Sequence, residues 1–122
     1  MLEISDEQFQ QLIDDALASL KTQHANSIKN VAILFAQEPT EEQRVKLQLL
    51  PYQSLYGLYE GTPLTARQGG TTLFPDRITI FKGPMIASSN SIDELKEQIR
   101  HTLWHEIAHY YGLDHDKIHD LE

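Results

Sequence analysis

His105-Glu106-Ile107-Ala108-His109-Tyr110-Tyr111-Gly112-Leu113-Asp114-His115 sets two histidines four positions apart around a glutamate, then a glycine, then a third histidine. That spacing has meaning only if the backbone beneath it is helical. Ser91, with Glu94 three positions on, reads as a capping box that starts a helix. Ile92, Leu95, Ile99, Leu103, Ile107 and Tyr110 then recur at helical spacing, and Gly112 offers the left-handed stop. On a helix, side chains four residues apart are neighbours, with Cβ atoms about 5–6 Å from each other. His105 and His109 can therefore converge on one ion. At about 100° per residue they fall on a stripe distinct from the one centred on Leu103, Ile107 and Tyr110, so the ligand face and the core face are separable.

Zinc takes imidazole nitrogens and, in catalytic sites, keeps a position for water beside three protein ligands. Gly112 turns the chain so that His115 can return as the third ligand. Three neutral imidazoles leave the ion its full charge, which lowers the pKa of a bound water to about 7. Glu106 is expected to stay out of the coordination shell and to reach that water as general base. Zinc is the preferred cofactor from donor type, although nickel, cobalt or iron also suit three histidines. Of the neighbours, His119 is an alternative ligand, an orienting donor or a surface residue, and His101 reads as exposed. Tyr110 and Tyr111 read as core aromatics, while Asp114 and Asp116 are solvated acids or orient His115.

Upstream, Ser5 and Gln8 form another capping box, Ile4 and Phe9 stand at staple positions, and Phe9, Leu12, Ile13, Ala16, Leu17 and Leu20 continue at helical spacing. This predicts an amphipathic helix over residues 6–21. Val31-Ala32-Ile33-Leu34-Phe35 reads as a buried strand. Thr40 and Gln43 announce a short helix to about Leu47, and residues 55–59 read as a strand. Residues 62–75, with Gly69, Gly70 and several threonines, read as a loop. Residues 77–82 are a strand candidate, and Gly83-Pro84 directly after it suits the edge of a sheet.

Composition narrows the function classes. At 122 residues the chain is one domain, residues 1–122, and its hydrophobic share of 40% fits a globular core. There is no cysteine, so disulfides, thiol nucleophiles and Cys-ligated metals are excluded. A net charge of −8 without a basic cluster argues against binding along a phosphate backbone, and no DNA partner is expected. No apolar run approaches the ~20 residues that span a bilayer. The acidic start lacks the features of a signal peptide, so a cytoplasmic location is expected.

The chain resembles the small bacterial zincin-like metallopeptidases of minimal one-domain size. The resemblance runs from about Leu50 and rests on Leu55-Tyr56-Gly57-Leu58-Tyr59-Glu60-Gly61-Thr62-Pro63-Leu64-Thr65, on Pro75-Asp76-Arg77-Ile78-Thr79-Ile80-Phe81, and on the histidine helix with Leu113, Asp114 and His119 after it. It implies an α+β fold, a small mixed sheet packed against the N-terminal and metal-binding helices. It also implies His105 and His109 as zinc ligands and Glu106 as catalytic base. The family's third ligand position often holds Asp, where this chain has His115. That moves the site toward the metzincin pattern, without the downstream methionine turn of a full metzincin.

A zinc metallopeptidase acting on peptides or unfolded protein is the leading expectation, with the peptide added to the edge of the strand at 77–82. A metal-stabilised, non-catalytic interaction module is the alternative, because fold does not imply function. A third reading follows from similarity to the small metal-dependent endoribonucleases of ribosomal RNA maturation, whose three histidines end in a sequence like Gly112-Leu113-Asp114-His115. Those enzymes lack a glutamate after the first histidine, and this chain has Glu106.

Overall fold

A computed structural model describes residues 2–23, 31–61 and 76–110. Its elements in chain order are α1 (Asp6–Gln23), β1 (Val31–Ala36), α2 (Glu41–Lys46), β2 (Gly57–Glu60), β3 (Asp76–Phe81), α3 (Lys82–Ala87) and α4 (Ile92–Tyr110). The result is an α+β fold with a small mixed sheet, as expected. Both long helices start where their caps place them. The Ser5 hydroxyl accepts from the Gln8 N–H at 3.1 Å, while the Gln8 side chain accepts from the Ser5 N–H at 2.8 Å. Thr40 and Gln43 repeat that reciprocal pair at the start of α2. At α4 the Ser91 hydroxyl accepts from the Glu94 N–H, but the Glu94 carboxylate reaches one residue further back, to the Asn90 N–H at 2.6 Å.

The strand order is β1-β3-β2, with β1 parallel and β2 antiparallel to β3. Two expectations are corrected here. Among the described strands the segment at 77–82 is the middle of the sheet, not its edge, and β1 lies on the outside and is half-buried, not buried. Pro84 misleads because it lies within the first turn of α3, where backbone N–H groups have no intrahelical acceptor and proline costs nothing. It therefore never enters a strand ladder. The burial confirms the exchange, since β3 is buried at every position but Arg77, whereas Leu34 of β1 is 48% exposed. A helix at residues 82–87 was not expected at all, its Gly83 and Pro84 being poor helix formers.

One face of the sheet is covered by α1 and α4. Phe9, Ile13, Ala16 and Leu20 of α1 share a core with Ile78 and Ile80 of β3 and with Leu95, Ile99, Leu103, Trp104, Ile107 and Ala108 of α4. The Phe9 ring meets Phe35 of β1 edge to face, centroids 5.4 Å apart. At the far end of β3 the nearly buried Lys82 ammonium pairs with Asp6 at 2.7 Å, tying the start of α3 to the start of α1.

The approach of α4 to β2 is close enough to require a glycine. A Cβ on Gly57 would lie 2.6 Å from Thr102 Cγ2. Gly57→Ala is therefore expected to cost about 1–3 kcal/mol through overpacking. Thr102→Ser, which removes that methyl, should restore most of the loss; thermal melts of the single and double variants check this.

Candidate metal centre

The geometry of α4 separates two stripes as its pattern predicts. Leu103 is wholly buried and Ile107 is 3% exposed, both facing the sheet. The side chains of His105 and His109 are 25% and 37% exposed. His101, one turn earlier on the same stripe, is exposed, as expected. Ring centroids of His105 and His109 are 4.7 Å apart, against 6.4 Å for His101 and His105. The stripe thus tightens toward the motif.

Glu106 lies at the seam between the stripes and is only 8% exposed. Its Oε2 stands 3.1 Å from His105 Nδ1, and its Oε1 stands 3.8 Å from His109 Nδ1. His105, Glu106 and His109 each bring one donor atom into a cluster whose members lie within 4.8 Å of one another. The Glu106 carboxylate thus lies beside the two imidazoles, in the same cluster. Two imidazoles and a carboxylate form a donor set suited to a divalent transition metal, zinc above all. The fit is one of chemistry and proximity.

The carboxylate has a second anchor. Phe81 donates its N–H to the Tyr56 carbonyl at 2.9 Å, which makes 56/81 a hydrogen-bonded pair in the β2–β3 ladder. Hydrogen-bonded and non-hydrogen-bonded pairs alternate, so Gly57 and Tyr59 turn their N–H and C=O groups away from β3. The outward Tyr59 N–H donates to Glu106 Oε1 at 2.9 Å. Among the described residues β2 has a strand neighbour on one side only. Its other edge runs past the motif.

Sequence reasoning missed Tyr59 and Asp76. The Tyr59 hydroxyl donates to Asp76 Oδ2 at 2.6 Å, and Asp76 is 2% exposed. The pair is diagonal across two strands, and only the β2–β3 register could have revealed it. His115, with Gly112, Tyr111, Asp114, Asp116 and His119, lies outside the described residues, as do the side chain of Tyr110 and the segment 62–75.

The zincin-like metallopeptidase family model matches residues 28–122 of the chain. The chain belongs to that family. A comparison with curated proteins finds no match. The match takes in the whole sheet, α2, α3 and the histidine helix, leaving only α1 of the described elements outside it. No helix among the described residues of this zincin-like chain is long and apolar enough to cross a membrane.

Proposed function

We propose that this member of the zincin-like family is a zinc-dependent peptidase of the cytoplasm, with His105, His109 and His115 as ligands and Glu106 as general base. The observation that carries the reading is the position of Glu106. A nearly buried carboxylate stands against two imidazoles and against the outer edge of β2.

When bound, the ion supplies a Lewis acid for the scissile carbonyl and for the attacking water. The remaining work belongs to the chain. Glu106 takes a proton from the water on its carboxylate and passes it to the leaving amine. The Tyr59 N–H and the His105 ring hold that carboxylate in place, which limits its rotamers before substrate arrives. The outward groups of Gly57 give a short or unfolded peptide a place to pair beside the Tyr59 N–H that Glu106 occupies, and this edge replaces the one expected at 77–82. Residues on a three-stranded sheet leave little depth for a specificity pocket, so extended peptides suit the site better than folded proteins.

Incubation of the zinc-loaded protein with a mixed peptide library, read by mass spectrometry, tests the reading. New cuts are expected, lost on chelation and restored by zinc. Absence of cuts with metal demonstrably bound would favour the interaction module, and cleavage of structured RNA in a parallel arm would favour the endoribonuclease.

A further inference from the structure

Asp76 takes no part in the chemistry above, yet its surroundings are built with care. It is 2% exposed at the start of β3, and the Tyr59 hydroxyl donates to it at 2.6 Å. The chain leaves β2 directly over this carboxylate. Gly61 sits at φ +151°, and a Cβ there would fall 2.4 Å from Asp76 Oδ1. Any other residue at 61 would collide with the carboxyl group.

Burying a carboxylate is costly, and an apolar pair of like volume at 59 and 76 would serve stability as well or better. What the polar pair adds is a fixed position for Tyr59. At a non-hydrogen-bonded site, residue 59 turns its N–H away from β3 and toward Glu106, so the ladder itself does not set the direction of that N–H. The phenol–carboxylate bond ties residue 59 to β3 through its side chain. The same residue's N–H is the donor to Glu106 Oε1 at 2.9 Å. A continuous path therefore runs from Asp76 through the Tyr59 side chain to the Tyr59 amide and on to the carboxylate in the histidine cluster.

We infer that Asp76 is a positioning residue, which acts through the Tyr59 phenol to fix the backbone N–H that orients Glu106. The inference rests on the reading of Glu106 as general base, and its test separates the two. Tyr59→Phe and Asp76→Ala each remove the tie from one end, and Tyr59→Phe keeps the ring in place should the buried Asp76 site tolerate no change. In each variant the residue-59 amide resonance should move upfield and its hydrogen exchange should quicken by about tenfold or more. In the zinc-loaded protein, kcat for a peptide found in the library should fall about 10- to 100-fold with KM nearly unchanged. The double variant should be no worse than either single one, because both act on one path. An unchanged residue-59 amide in Asp76→Ala, or losses that simply add, would overturn the inference. Full turnover by Glu106→Gln would instead overturn the general-base reading, and the amide measurement would still report whether Asp76 sets the Tyr59–Glu106 contact.

Discussion

Glu106→Gln is expected to lower peptide turnover by about 10²- to 10⁴-fold, the usual contribution of a positioned general base, while leaving the fold and the metal content unchanged. Glutamine has nearly the volume of glutamate, and its Oε1 can still accept from the Tyr59 N–H that now reaches the carboxylate at 2.9 Å. What it lacks is a site that can take a proton from water. His105 and His109 are untouched by the exchange, so ion binding should persist. Glu106→Ala would be a poorer test. It would strip a half-buried donor, the Tyr59 N–H, of its Glu106 acceptor, at a cost of about 1–3 kcal/mol, and would mix misfolding with lost chemistry. The measurement is cleavage of a defined peptide by matched zinc-loaded preparations, with metal content read by mass spectrometry and folding by thermal melt. Retained turnover with metal bound would place the base elsewhere.

The largest effect on stability should come from the same helix two residues before the motif. Leu103 is fully buried in the core shared by α1, α4 and β3. Leu103→Ala removes its side chain from that core and leaves a cavity, which costs about 2–5 kcal/mol. A domain of this kind has only about 5–15 kcal/mol in total. Denaturant titration should show the midpoint falling with little change in slope. Below its melting temperature the variant should keep nearly normal kcat, because Leu103 faces the sheet while His105 and His109 lie on the other stripe. A folded variant that had lost activity would mean that core and ligand faces are coupled along α4.

Much of this was legible in the residues themselves. Ser5 and Thr40 form the reciprocal caps their spacing to Gln8 and Gln43 predicts, and Ser91 forms its half of the one with Glu94, because capping is a local exchange of hydrogen bonds among a few neighbouring residues. The pairing of His105 with His109 is legible for the same reason, since helix geometry alone brings them together. Strand order was not. Val31–Ala36 and Asp76–Phe81 are both short apolar runs, and nothing local says which lies in the middle. The one local clue, Pro84, pointed the wrong way because it serves the first turn of α3. Lys82–Ala87 escaped notice as a helix, since Gly83 and Pro84 outweigh it on propensity while its place is set by contacts such as the Gly83 N–H to the Gln37 carbonyl. The Tyr59–Asp76 bond was invisible for a deeper reason. It depends on the register of a strand pair, and register is settled by the whole sheet and its covering helices.

The strand order also bears on how the chain comes into being on a ribosome. Synthesis runs from the N-terminus, so the two outer strands are made first and the middle one last. Among the described strands, β1 and β2 do not pair with each other, and each pairs with β3, which is made after both. The described sheet therefore cannot form strand by strand in the order of synthesis, and α4, made later still, completes the core it shares with α1. Until then the nascent chain carries two open strand edges and the bare apolar side of α1, a state that favours a holding chaperone over early independent folding.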